Sequence, residues 1–426
     1  MVTAFRTRCV ALWLLLMMVM QLPGLTAQAE MATDTAVKTA RLSHGINITG
    51  WFRFPPSRDP AALEAYLSDA ALADLRRAGF DFVRLAVDPD VVATPPAEAV
   101  LIRSIARIER QGLSVVISPH PNAWRLETEW PRLLAFWRRL APMLRPLDIS
   151  RTLPEVVNEP VFPNDPAAWA AAQHAVLGVI RAALPAATVV LTGQDWGSIK
   201  GLLALTPEDD DNVLYSFHFY DPAELTSLAA YRPDLDRAAL ARLPFPADDA
   251  SACRAAAPAM DAPTRDLIAY YCAFGWGEAR VRQTIETAAS WARVHHVRLL
   301  AGEFGASAAL NPPARVAWLR AVEKAFATDD IAWALWGYDD VMGLAVTRPP
   351  PARPGLDRKV LSALGLVAFG TTPLGLGASG HASTGTTATG TAPIGTALIG
   401  TAPIGTAPIG RARAAPARAT LGRTAP

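Results

Sequence analysis

Cysteine is scarce, with three in 426 residues, which excludes a disulfide-built scaffold and a thiolate metal cluster. Neither sign of charge is in excess: 40 Lys+Arg face 39 Asp+Glu for a net +1. That balance argues against a dedicated nucleic-acid binder, which needs a concentrated basic surface to displace counterions. Charged residues make up only 19% of the chain and apolar ones 51%, so a chain-long disordered polyelectrolyte is excluded too. Long apolar runs are missing but for 11 residues from Val10 to Met20, short of the ~20 that a spanning helix needs. What is left is a cored protein with room for one large α/β domain or two smaller ones.

That single apolar run follows Arg6 and Arg8 and precedes Pro23, Gly24 and Ala27-Gln28-Ala29. A basic flank, a short greasy core and small residues before a cut predict a signal peptide over residues 1–29, with a linker over 30–40. A retained anchor is the competing reading. Cleavage predicts a secreted or periplasmic protein with no membrane attachment, and it removes Cys9. Cys253 and Cys272 then remain in an oxidising compartment with 18 residues between them. A disulfide is expected there, contributing about 3 kcal/mol by loop entropy; two buried free thiols are the alternative. At the other end, residues 370–426 are low in complexity. A Gly-Thr-Ala-Pro-Ile pentad recurs from Gly390 to Gly410, and no acidic residue follows Thr371. Proline every few residues and one Ile per repeat cannot offset the entropy of ordering, so this tail is expected to be disordered. Its Gly375-Leu-Gly377-Ala-Ser-Gly380 string matches the dinucleotide fingerprint but lacks a βαβ context.

Between residues 41 and 369, short apolar runs alternate with longer amphipathic ones. Strands are expected at Gly45–Trp51, Phe80–Val87, Leu113–Pro119, Leu153–Asn158, Thr188–Thr192, Val213–Tyr220, Val297–Glu303 and Ile331–Tyr338. The runs lack strict alternation, as parallel strands covered on both faces should. Helices are expected at Pro60–Ala78, Pro96–Gln111, Glu127–Leu144, Asp165–Leu184, Glu278–His296, Pro312–Ala327 and near Asp357–Leu366. Eight such repeats predict an α/β fold of the (β/α)8 TIM-barrel type, with a doubly wound open sheet as runner-up. One connection is unusually long. After Tyr220, 57 residues pass before the next confident helix, and an insertion carrying both mature cysteines and several aromatics suggests a wall or lid.

In such a barrel, chemistry gathers at the C-terminal ends of strands. Strand four closes on Asn158-Glu159, strand seven on Glu303, and strand six on His218-Phe219-Tyr220, where i, i+2 spacing puts imidazole and phenol on one face. Strands two, three and eight offer Arg84, His120 and Trp336. Two carboxylates facing each other across the mouth are what glycoside hydrolysis requires: a proton donor for the leaving oxygen, and a nucleophile or base for the anomeric carbon. A neighbouring Trp can stack on a pyranose. Glu155, mid-strand, is expected to be tied to another barrel residue. His295-His296 reads as a solvated pair, and Asp339-Asp340 as capping the strand-eight loop. No H-E-x-x-H, G-x-S-x-G or G-x-x-x-x-G-K motif appears.

The ordered set Arg84, His120, Asn158-Glu159, His218-Phe219-Tyr220, Glu303 and Trp336 resembles glycoside hydrolase family 5, the cellulase-like group of clan A, over roughly residues 41 to 368. The resemblance implies that Glu159 is the acid/base and Glu303 the nucleophile of a retaining reaction. It also implies that Asn158 binds the sugar 2-hydroxyl, that Arg84 and Tyr220 brace Glu303, that His120 and His218 line the −1 subsite, and that Trp336 is its platform. His44, Asn122, Trp124, Asp195 and Trp196, which flank strands, are candidate further subsites. No metal and no organic cofactor is expected. The partner is a β-linked oligo- or polysaccharide, most plausibly a β-1,4-glucan, cleaved by a monomer. A β-mannanase, an exo-β-glucanase, an exopolysaccharide-degrading glycosidase or a non-catalytic carbohydrate-binding barrel are the alternatives.

Overall fold

The computed structural model describes residues 42–346 and 354–366; the expected signal peptide, the linker and the low-complexity tail lie outside the described residues. Eight parallel strands make the main sheet: β1 (His44–Phe52), β2 (Phe82–Val87), β3 (Ser114–Pro119), β4 (Thr152–Pro154), β5 (Val189–Thr192), β6 (Val213–Phe219), β7 (Leu299–Phe304) and β8 (Ala332–Leu335). Their order is β4-β3-β2-β1-β8-β7-β6-β5, and a parallel bridge between Glu155 and Val190 joins the two end strands. The sheet therefore returns on itself as the expected (β/α)8 barrel, not as a doubly wound open sheet.

The strands lack alternation because both of their faces are covered. Every position of β2 and of β3 is buried, one face toward the barrel interior and the other toward the helices. Inside, Phe82, Val116, Leu153, Val190, Leu214 and Leu300, all near strand starts, form an apolar plug. Above it the buried interior turns polar, with Asn47, Arg84, Ser118, Glu155, Ser216, His218 and Glu303. Groups of this kind are buried only where they find partners or substrate, so the upper half of the barrel is where chemistry is possible.

The helices that wrap the barrel are α1 (Pro60–Ala65), α2 (Asp69–Ala78), α3 (Pro95–Arg110), α4 (Leu126–Leu144), α5 (Pro166–Ala183) and α6 (Ile199–Leu203). The helix expected over Pro60–Ala78 is in fact two. Ser68 has an extended backbone and its side chain accepts from the Ala71 N–H, so it caps α2, and a helix cannot run through its neighbour's N-cap. Gly79 ends α2 in the left-handed region at φ 107°, as the sequence signal required. The short α6, capped by Ser198, has too few turns for periodicity to reveal.

The long insertion after β6 folds into four short helices, α7 (Ala223–Thr226), α8 (Arg237–Leu240), α9 (Ala250–Ala256) and α10 (Ala262–Phe274). Asp236, Asp249 and Asp261 each cap one of them. The expected disulfide joins α9 to α10 through Cys253 and Cys272. The chain then continues through α11 (Glu278–His295), α12 (Pro312–Thr328), the two-stranded ribbon β9 (Ala345–Val346) and β10 (Gly355–Leu356), and α13 (Arg358–Ala363). The insertion is fastened beside the barrel mouth. The Ser307 N–H donates to the Thr226 carbonyl at 2.7 Å, Asn311 Nδ2 to the Leu243 carbonyl at 2.7 Å, and the Trp318 indole to the Asp221 carbonyl at 3.0 Å.

Candidate active site

Arg84 is the hub of the polar layer. It lies in mid-β2, is fully buried, and uses all five of its N–H donors. Nε and Nη2 hold the two oxygens of Glu155 at 2.7 Å each. Nη1 donates to Glu303 Oε1 at 2.6 Å and to Asn47 Oδ1 at 2.9 Å, and Nη2 also reaches Asn158 Oδ1 at 2.8 Å. Burial alone would lower its pKa, but Glu155 and Glu303 outweigh that and hold it above its ordinary value. Glu155 is thus tied to a barrel neighbour, as its mid-strand position suggested.

Glu303 reaches the mouth because β7 is irregular. Phe217 pairs with Ala301 while the next residue, His218, pairs with Glu303, leaving Gly302 as the extra residue. Such a bulge re-aims the side chain that follows it. Gly302 is needed there: a Cβ would approach Ser216 Oγ to 2.5 Å. Asn47, on β1, ties the bulge down by donating from Nδ2 to the Gly302 carbonyl at 3.0 Å. The second oxygen of Glu303 accepts from the Tyr220 hydroxyl at 3.0 Å. Burial, then the charges of Glu303 and Glu159, push the Tyr220 phenol well above its ordinary pKa, so it stays a donor.

Glu159 stands opposite, in the loop after β4. Its Oε1 is hydrogen-bonded to His218 Nδ1 at 2.9 Å, and the same ring nitrogen lies 3.5 Å from Glu303 Oε2. Oxygens of the two glutamates and the imidazole nitrogen all come within 4.8 Å of one another. Glu159 keeps 23% of its side chain exposed against 4% for Glu303, so one carboxyl faces the cleft and the other is sunk into the barrel. Two such groups, one open and one braced on both oxygens, can divide proton transfer from attack on carbon.

These side chains come from β2, β6 and β7 and from the loop after β4. The Cellulase (glycosyl hydrolase family 5) profile matches residues 44–339. The chain belongs to glycosyl hydrolase family 5. It is therefore a glycoside hydrolase. Among relatives, it is 25% identical over 330 residues to Endoglucanase 3 of Fibrobacter succinogenes, covering 70% of this chain but only 49% of that protein. The chain thus spans about half the length of that relative. Cellodextrinase A of Ruminococcus flavefaciens is 21% identical, with 70% and 85% of the two chains covered. The fold is shared with endoglucanase Cel5A of the hyperthermophile Thermotoga maritima, at a TM-score of 0.62 and 20% identity over 78% of this chain and 99% of that one.

In this family-5 barrel, His120 and Trp336 line the cleft together, their rings stacked at 5.9 Å and 26°. His120 is buried, and neither ring nitrogen has a partner among the described residues. Burial, then the charges of Arg53, Arg84 and His218, lower its pKa well below the usual imidazole value, so the ring is neutral and free to take a sugar hydroxyl. Trp336, just past β8, is only partly buried and offers a face for stacking.

The remaining candidates divide. Trp196 sits at the mouth, its N–H donating to the Pro160 carbonyl at 3.3 Å, next to Glu159. Asp195, beside it, pairs with Lys200 at 2.9 Å. The indole N–H of Trp124 donates to Asp90, and Arg132 covers its ring at 4.1 Å. The Asn122 amide is taken by Arg53 and Asp88. His44 is misplaced: it opens β1 at the opposite end of the barrel and packs on Trp333 at 4.8 Å, since a residue before a strand lies at the wrong end for this fold. Asp339 accepts from Thr49 and from the Tyr66 hydroxyl, and Asp340 from the Met342 N–H, as loop-capping groups do. Sequence reasoning missed Asn47, Gly302 and Arg53. A lone buried Asn in the apolar run of β1 was the one available signal.

Proposed function

We propose that this chain is an exported, monomeric, retaining endo-β-1,4-glucanase. Glu303 attacks the anomeric carbon while Glu159 protonates the leaving oxygen. Glu159 then takes a proton from the water that releases the glycosyl-enzyme. Asn158 meets the sugar 2-hydroxyl, His120 and His218 flank the reacting sugar, and Trp336 carries its apolar face. The observation that carries this reading is the spacing of the carboxylate oxygens, within 4.8 Å. That lies near the ~5–5.5 Å of retaining glycosidases and well under the ~6.5–9.5 Å that leaves room for an inverting water. The endoglucanase assignment is supported by the names of the relatives. The Thermotoga Cel5A structures are described with both cellobiose and mannotriose, so a β-1,4-mannan is the second substrate to test. Export is supported by the N-terminal sequence pattern and by the disulfide.

The test is product analysis on defined β-1,4-gluco- and manno-oligosaccharides, with azide added to the inactive variants. Glu303→Ala should give a glycosyl azide of inverted configuration, and Glu159→Ala one of retained configuration. If wild type and both variants share the same background rate on the whole panel, the barrel is a carbohydrate-binding protein and the reading fails.

A further inference from the structure

Arg53, the first residue after β1, is a cation at the cleft with no ion pair among the described residues. Its guanidinium carbon lies 5.6 Å from the centre of the Trp336 ring and 4.7 Å from that of Phe54, whose own ring is 39% exposed. Nε donates to Asn122 Oδ1 at 3.1 Å, and the Asn122 amide returns a bond to the Arg53 carbonyl at 3.3 Å. That exchange fixes the side chain. Its two terminal nitrogens take no acceptor among the described residues.

Four other arginines packed into this barrel are each paired with an acid. Arg84 has Glu155, Arg107 has Asp69, Arg181 has Asp210 and Arg315 has Asp357. Arg53 is half-buried, as Arg107 and Arg181 are, while Arg84 and Arg315 are buried, yet it makes no such pair among the described residues. The acids nearest it are already engaged, Glu303 by Arg84 and Tyr220 and Glu159 by His218. A partly desolvated guanidinium with two open donor groups, fixed beside a sugar platform, is a ready partner for a carboxylate, which it binds in a two-pronged geometry.

We propose that Arg53 is a specificity-determining residue that recognises a carboxylate on the substrate, so that the preferred substrate is an acidic β-glycan bearing that group on a sugar beside the one stacked on Trp336. The proposal rests on the glycan-cleaving reading above and narrows it. A neutral glycan would leave the guanidinium with water, whereas a carboxylate there gains a charge-assisted pair in a half-dry site.

Two measurements test it. The first is kcat/KM of wild type, Arg53→Lys and Arg53→Gln on carboxymethyl- and hydroxyethyl-substituted β-1,4-glucan of matched length and substitution. Arg53→Gln should shrink the wild-type ratio of kcat/KM on the anionic over the neutral polymer about tenfold, whatever loss the two polymers share. Arg53→Lys should fall between, and the wild-type preference should shrink as salt is raised. Equal losses on both polymers, or no wild-type preference, overturn the proposal. The second measurement is retardation of the Glu303→Ala protein, with and without Arg53→Gln, in gels containing either polymer. If neither polymer is cleaved, the glucanase reading fails and the gels decide alone. Retardation by the anionic polymer that Arg53→Gln abolishes supports the role of Arg53; equal retardation in both gels, or none, refutes it.

Discussion

Replacing Arg84 by Met is the most direct test of how the polar layer is held together. The substitution keeps the side-chain stem and removes every donor, leaving Glu155, Glu303 Oε1, Asn47 Oδ1 and Asn158 Oδ1 without their shared partner. Both Arg84 and Glu155 are wholly excluded from solvent. Breaking one buried pair by removing a partner costs about 3–5 kcal/mol, and here two carboxylates are stranded at once. A loss of about 5 kcal/mol is expected, a large part of the ~5–15 kcal/mol that a domain commands. Arg84→Lys keeps the charge but cannot form the two-pronged bond to Glu155, so it should lose about half as much. If the penalty is the stranded charge and not lost packing, the double variant Arg84→Met/Glu155→Leu should recover about 1–3 kcal/mol of it. Denaturant unfolding of wild type, Arg84→Met, Arg84→Lys, Glu155→Leu and the double variant at one pH measures all of these terms. An Arg84→Met loss below about 1 kcal/mol, or strict additivity in the double variant, would refute the reasoning.

Two further predictions follow from the same interior. Burial, with the charges of Asp339 and Glu303 behind it, outweighs the Met342 N–H and raises the Asp340 carboxyl to about 7. A raised acid favours folding below its unfolded value near 4 and loses that advantage as pH climbs to about 7, up to roughly 4 kcal/mol. Asp340→Asn should therefore flatten the fall in unfolding free energy between pH 4 and 8, and an unchanged slope would count against it. Gly302→Ala should cost about 1–3 kcal/mol by overpacking and lower kcat by displacing Glu303. Because Ser216 Oγ is the near contact and has no hydrogen-bond partner among the described residues, adding Ser216→Ala should restore much of both; no rescue would place the strain elsewhere.

Much of this molecule was readable along the chain. Eight apolar runs without alternation, alternating with seven amphipathic stretches, pointed to parallel strands covered on both faces, with a barrel as the first reading and an open doubly wound sheet as the second. A polar residue ending such a run must lie at the rim, which is how Glu159, His218 and Glu303 were found without coordinates. The cysteine pair was legible too, since two thiols separated by a short loop have few ways to be satisfied.

Contacts across the barrel were not legible. Asn47 touches Gly302 over a separation of 255 residues, and no local pattern encodes which strand a side chain will meet. Strand limits were equally hidden: β4 stops at Pro154 and β8 at Leu335, short of the apolar runs that suggested them. His44 was misassigned for a related reason, because composition marks a strand's existence more sharply than the end on which a flanking residue lies. The order of elements and the kinds of reactive group were thus set by the sequence, through periodicity and residue chemistry. The register that makes Gly302 a bulge, the single guanidinium that clamps four neighbours, and the place of Arg53 beside Trp336 were decided only when the sheet closed. Each depends on distances between residues that are remote along the chain.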